Sequence, residues 1–341
     1  MRQFIGMVVM AVVLSGAAVS AQQPQIVHAE LTSRPASKGL AGELEALKST
    51  KATAWVGYSI PATRGFSARD NGGMTYLEGD HGSVVKSHEE EGKAPAQAMI
   101  FLRVTAGAVE KIRVENIERS IDAGGMRVAW LTNVGAEDSV TTLTALAKQK
   151  DSKKLRDGAV FAISAHAAPE ATPALIGLGA PGSDLELREK AAFWLANQRG
   201  HDGFLAIQHW AREDADDAFR EKLTFDLTLS KESEAIPELV RIAHNDSSVR
   251  VRKQAQFWMA QKGGKLVLGD LHEMAENDPE ASLRKSAVFA ISRLPQDEAT
   301  TQLIQLAQTG KDPAVRKQAV FWLGQPKDPR ALDYLTQLLQ R

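Results

Sequence analysis

Asp312-Pro313-Ala314-Val315-Arg316-Lys317-Gln318-Ala319-Val320-Phe321-Trp322-Leu323-Gly324 carries a helix start, a buried stripe and a stop in one run of residues. Asp312 is a capping residue and Pro313 suits the first helical position. Val315, Ala319, Trp322 and Leu323 fall at i, i+4, i+7 and i+8, one face of a helix. Gly324 and Pro326 end it, and Ala331, Leu335 and Leu338 form the buried face of a second helix. The same opening recurs upstream at an unvarying interval of 32 residues, so that helices open at Leu155, Leu187, Phe219, Val251, Leu283 and Val315. An Arg always follows (Arg156, Arg188, Arg220, Arg252, Arg284, Arg316), and five places further on stands a Phe (Phe161, Phe193, Phe225, Phe257, Phe289, Phe321). A fixed period of this length marks a solenoid, in which each unit buries its apolar face against its neighbours.

A second period is superimposed. Trp194, Trp258 and Trp322 occupy the position held by Ala162, Asp226 and Ala290 in the alternate copies, so the units come as pairs. A wide ring beside a small side chain is what neighbouring layers need to interdigitate without voids. Ala159-Val160-Phe161-Ala162-Ile163-Ser164 is repeated as Ala287-Val288-Phe289-Ala290-Ile291-Ser292, which supports duplication of a two-unit block. The phrases from Asp312 to Gly324 resemble the short HEAT-repeat class that includes the phycobilisome lyase-like repeats, over roughly Ser139 to Arg341. The resemblance implies a right-handed α-solenoid with a scaffold or binding role. It names no partner.

The rest of the chain divides by composition. Arg2 followed by the apolar run Phe4 to Val19 and the small residues before Gln22 read as a signal peptide, residues 1–21, cleaved from an exported, periplasmic or secreted protein. The apolar run is too short for a membrane span. Residues 22–52 are polar and read as a linker, with one short helix from Gly42 to Ser49. Residues 53–135 read as a small β-rich domain. Its strands are Trp55 to Ile60, Met74 to Leu77, Ile100 to Val104, Val109 to Val114 and Met126 to Leu131, with a hairpin turn at Ala106-Gly107. The acidic run Glu89 to Glu91 reads as a solvated loop. From 138 to 341 the chain is helical, opening with a capping helix that starts at Asp138 or Ser139.

The chain has no Cys, which excludes disulfides, thiolate metal sites and a Cys nucleophile. Its 41 basic and 42 acidic residues nearly cancel, so nothing marks a nucleic-acid footprint. There is no P-loop, nucleophile elbow or dinucleotide fingerprint, and the histidines lack metal-ligand spacing. His272-Glu273 and His88-Glu89 are similar to the His-Glu pairs of HEAT-repeat diiron hydroxylases, but only one of the two lies in the solenoid. These readings point to a non-enzymatic protein without cofactor or metal. The alternative is an accessory lyase or chaperone-like protein that holds a small ligand.

A protein or peptide partner is expected on the outward face of the second helices, which in HEAT-like arrays lines the concave groove. That face carries His209 and Arg212, then Arg241 and His244, then Glu273 and Glu276, and further on Gln305, Gln308 and Gln337. It should be basic in the middle and then acidic. The arginine ladder is expected to be structural, held by acids four residues before it: Asp184, Asp216, Glu280 and Asp312. For the Phe ladder two readings stand: packing on the Arg and Val flank of the next first helix, or an exposed apolar stripe. Asp226 either reaches water through a local rotation or is paired by Lys222 or Arg220; local repacking is the expectation.

Overall fold

The computed structural model describes residues 24–48, 52–63, 66, 74–79, 97–325 and 328–340. The expected signal peptide, the acidic run Glu89 to Glu91, His88 and Pro326 lie outside the described residues. Eight strands and one helix come first: β1 (Gln25–Val27), β2 (Glu30–Pro35), α1 (Gly39–Lys48), β3 (Ala54–Pro61), β4 (Thr75–Tyr76), β5 (Gln97–Thr105), β6 (Ala108–Asn116), β7 (Ser120–Asp122) and β8 (Arg127–Thr132). The capping helix α2 (Ala136–Ala147) follows. Six pairs then stack: α3 (Lys153–Ala165) with α4 (Ala171–Gly179), α5 (Leu185–Gln198) with α6 (Gly200–Glu213), and α7 (Asp217–Leu229) with α8 (Ala235–Asn245). The last three pairs are α9 (Val249–Gly263) with α10 (Leu268–Asn277), α11 (Ala281–Ser292) with α12 (Gln296–Thr309), and α13 (Pro313–Leu323) with α14 (Pro329–Leu339). The expected capping helix and six pairs are therefore all present.

Near-continuous apolar runs in β3, β5 and β8 build the centre of the main sheet, ordered β2-β8-β3-β5-β6, with β2, β8 and β3 parallel and β3, β5 and β6 antiparallel. Both of its faces are buried. Val56, Tyr58 and Ile60 of β3 join Ala98, Ile100 and Leu102 of β5 in the core shared with the helices. Trp55, Met99, Phe101, Val128 and Trp130 face the other way, towards the small parallel sheet β1-β7-β4. Gly57 is required there: a Cβ would lie 2.7 Å from Phe101 and 2.8 Å from Trp130, whose rings cross over it. The β5–β6 hairpin turns at Ala106 and Gly107, both with positive φ, as a two-residue connection needs.

Two expectations are corrected. Residues 22–52 are not a linker: β1 pairs with β7, β2 pairs with β8 along its whole length, and Leu40 and Leu44 of α1 enter the main core. The partner strands lie some ninety residues downstream, so local composition could not reveal the pairing. Nor is the solenoid separate from the sheet, because one continuous core runs from Val56 to Ala331. The joint is specific. Backbone bonds from Thr63 to Ala165 and from Ala167 to Pro61 carry β3 on into the end of α3. Asp138 and Ser139 do not cap α2, whose N-cap is Gly135. Asp138 instead accepts from the Leu40 backbone nitrogen, and Ser139 sits at the centre of a buried chain of hydrogen bonds.

In that chain His166 Nδ1 lies 2.7 Å from the Ala162 carbonyl, which can only accept, so the proton is on Nδ1. Nε2 then accepts from Ser139 at 2.9 Å, and Ser139 accepts from the Tyr58 hydroxyl at 2.8 Å. Burial drives the imidazole down to about 4 and pushes the Tyr58 phenol up.

Candidate functional site

The first helices are held by the arginine ladder. Ser152, Asp184, Asp216, Glu280 and Asp312 cap their own helices, accepting from first-turn backbone nitrogens. Each Arg but the last then reaches forward to an acid of the next layer, while Arg316 donates to the Gly310 carbonyl. Arg156 donates to Asp184 at 2.5 Å and Arg284 to Asp312 at 2.7 Å, as expected of acids four places before the following Arg. The three intervening rungs differ. Arg188 pairs with Asp214, Arg220 with Asp246 at 2.9 Å and Arg252 with Asp278 at 2.5 Å, each acid lying six places before the next Arg. Where that position is Gly, at Gly182 and Gly310, the capping Asp takes over. Asp216 and Glu280 thus cap without serving the ladder. Arg199, buried and lowered to about 10 by that burial, and Lys262 cap the carbonyl ends of the preceding first helices.

The Phe ladder packs on aromatic rings, not on the Arg and Val flank. Trp194 lies 4.9 Å from Phe161, Trp258 4.9 Å from Phe225 and Trp322 5.1 Å from Phe289, so each Trp joins its layer to the one before. This is the physical content of the paired units. Phe257 also stacks on Phe289 at 6.0 Å. The cation-π contact of the ladder is elsewhere, with Arg188 3.9 Å from the centre of Phe219. Cover differs most between the two ends, from Phe161 at 8% exposed to Phe321 at 55%, with Phe193, Phe257 and Phe289 partly buried between them and Phe225 at 36%. Asp226 neither reaches water nor finds an ion pair among the described residues, since Arg220 is engaged by Asp246. Burial, then the nearby Glu189, raise its carboxyl well above the usual range, against the pull of Lys222.

The second-helix face is where exposed polar groups gather. Successive first helices pack closely along the array, whereas successive second helices touch much less, which leaves grooves between them. Arg212 on α6 and Arg241 on α8 both turn onto Glu238 of α8, at 2.5 Å and 2.7 Å, and Gln208 donates to the same carboxylate at 3.2 Å. Glu238 is 2% exposed. Burial pushes its carboxyl up, and the two guanidiniums more than reverse this, holding it below the ordinary range. His244 lies 3.7 Å from Asp270 and 3.9 Å from Glu273. His209 is exposed. Glu276 accepts from the Lys311 backbone nitrogen at 3.0 Å.

The expected positive patch is therefore corrected. Glu238 neutralises one of the two arginines, and His244 faces Asp270 and Glu273, so the patch keeps a single net positive charge across α6 and α8 and the face turns acidic at α10. Glu238 and Asp270 escaped the reading of the sequence because they occupy one register position, Ala174 and Ala206 in earlier units, on the edge of the buried stripe. Between α10 and α12 the face opens into a depression of about 670 Å³, lined by His272, Glu273, Glu276, Gln302, Gln305 and Lys311 among others. No group of three or more His, Asp or Glu able to hold a metal occurs among the described residues, and no described helix is long and apolar enough to cross a membrane.

No curated protein matches the chain in sequence at a significant level. Solved structures similar to it include human deoxyhypusine hydroxylase in complex with glycerol, at 17% identity over 60% of this chain and 80% of that one, with a TM-score of 0.33. The complex of CpcE and CpcF of phycocyanin lyase from Nostoc sp. PCC7120 is similar at 20% identity over 46% of this chain and 99% of that one, with a TM-score of 0.34. Kap121p bound to Pho4p is similar at 15% identity over 56% of this chain and 23% of that one, with a TM-score of 0.36. Residues 269–341 match the family of HEAT repeats. Since the same 32-residue pair of helices runs back from this segment without a break to α3, the helical part of this chain is a HEAT-repeat solenoid.

Proposed function

We propose that this chain is an exported, non-enzymatic binding protein that holds a protein or peptide partner along its second-helix face, between Arg212 and Lys311. The depression between α10 and α12 carries this reading. It is wide enough for several side chains, it is rimmed by Glu273 and Glu276, and its walls carry the amides of Gln302, Gln305 and Asn277. Amide side chains both donate and accept, which matches the alternating groups of an extended backbone. The carboxylates favour a basic residue beside it. Arg212, Glu238 and Arg241 form the upstream wall, since both guanidiniums are held on the one buried carboxylate.

A photo-crosslinking residue placed at Gln305 should trap a partner in the native compartment, and Glu273→Lys should abolish the adduct while the protein stays folded. High salt should weaken it, because exposed charges are screened beyond about 8–10 Å. Adducts that form only from positions on the first helices would overturn the assignment. Export rests on the N-terminal sequence, and the intact mass of the purified native protein tests it, with Gln22 as the expected first residue.

A further inference from the structure

The position after each ladder arginine is Asp157, Glu189 and Glu221 in the first three layers, and Lys253, Lys285 and Lys317 in the last three. Four residues on from each stands the ladder Phe, so acid or base and ring share one helix face. The first-helix surface thus reads acid-Phe three times and then Lys-Phe three times, in a chain whose total charge is −1. All six charged side chains are at least partly exposed, and so are five of the six phenylalanines. Asp157 and Glu221 each carry one cation of their own chain, Lys190 at 3.4 Å and Arg250 at 3.0 Å. Glu189 and the three lysines form no ion pair among the described residues.

We propose that this surface is the contact between two copies of the chain, arranged antiparallel about a two-fold axis that passes between the third and fourth layers. The charge order demands that symmetry. Reversing the ladder sets the first layer against the sixth, the second against the fifth and the third against the fourth. Asp157 then meets the partner copy's Lys317, Glu189 its Lys285 and Glu221 its Lys253. A parallel arrangement would instead set like against like. Because the layers are equally spaced, seating one pair brings the other two into register. The half-exposed rings of Phe193, Phe225, Phe257 and Phe289 supply the apolar centre that a charged strip alone lacks. An isologous contact of this kind closes on itself and leaves both second-helix faces free.

Sedimentation of the full chain at low salt tests this, with single and paired charge reversals at the bridge that involves the unpaired acid. The wild type should show a monomer–dimer equilibrium. Each of Glu189→Lys and Lys285→Glu should weaken it by roughly a hundredfold, about tenfold for each of the two symmetry-related contacts. The double variant should restore the dimer, which a merely structural role for either residue would not do. Far-UV circular dichroism spectra should show the same helical content for all three, since neither side chain lies on a buried stripe. A wild type that is monomeric across the accessible concentration range overturns the proposal. So does a dimer indifferent to both single reversals, which would place the contact elsewhere, or a double variant as weak as the singles.

Discussion

At the sheet end of the solenoid Phe161 is covered by Phe66 and Trp194, whereas at the other end its equivalent Phe321 has, among the described residues, a single ring contact, with Trp322 of its own helix, and is 55% exposed. The contrast extends to whole helices. α2 and α3 bury residues on several sides beneath the sheet, while α14 buries only Ala331 and leaves Leu332, Leu338 and Leu339 open. Identical repeats therefore differ in stability according to what covers them. In a solenoid each unit draws its stability from its neighbours, so the array should loosen from the sheet outward.

Substitutions at equivalent ladder positions test that gradient, beginning with the largest effect. Arg188→Ala should cost roughly 3–5 kcal/mol, because it leaves Asp214 buried without its charge partner. Arg284→Ala, whose pair with Asp312 is partly exposed, should cost about 1 kcal/mol or less in urea titrations. Equal costs would erase the distinction between the two ends. Phe161→Ala should cost about 3–5 kcal/mol as a core aromatic deletion, and Phe321→Ala only about 0–1 kcal/mol, as surface substitutions do. Phe257→Ala should fall between the two, because its half-buried ring lies between Trp258 and Phe289.

The sheet joint should also give the stability a pH dependence between pH 6.5 and 4. His166 is held at about 4 in the folded protein against 6.5 when unfolded. Above 6.5 the ring is neutral in both states and nothing is lost. As the pH falls from 6.5 to 4 the unfolded chain gains a proton that the folded chain refuses, so stability drops by on the order of 3 kcal/mol. Melting of His166→Asn over that range should be flatter than the wild type. A parallel profile would show that the buried chain through Ser139 and Tyr58 is not what makes the joint acid-sensitive.

One further effect has the opposite sign. Asp226→Ala restores the residue found at Ala162 and Ala290 and removes a buried acid, so it should stabilise the middle of the array by roughly 1–3 kcal/mol at neutral pH. The gain should shrink as the pH falls through the raised range of the Asp226 carboxyl, because the protonated acid is cheaper to bury. An unchanged or lowered melting point would mean that the acid is compensated where it stands.

The solenoid was legible in the sequence because its information is local and repeated. Capping residues, a 3.6-residue stripe and a stop signal recur every 32 residues, and any helix so marked must bury the same face against the next copy. The strands from Trp55 onward were legible for the same reason, as short apolar and β-branched runs bounded by Pro and Gly within each segment. What only the tertiary structure decided depends on contacts between distant residues. β2 reads as polar chain until β8 lies beside it, and Ser139 reads as a cap until Tyr58 and His166 reach it from a strand and another helix. The shift of the ladder acids to Asp214, Asp246 and Asp278, and the capture of Arg212 and Arg241 by Glu238, likewise depend on how neighbouring layers sit against one another. Periodicity fixes which face of a helix is buried, but the partner of a charged side chain is chosen by distance in space, where small rotations of a helix decide which of two nearby acids an arginine meets.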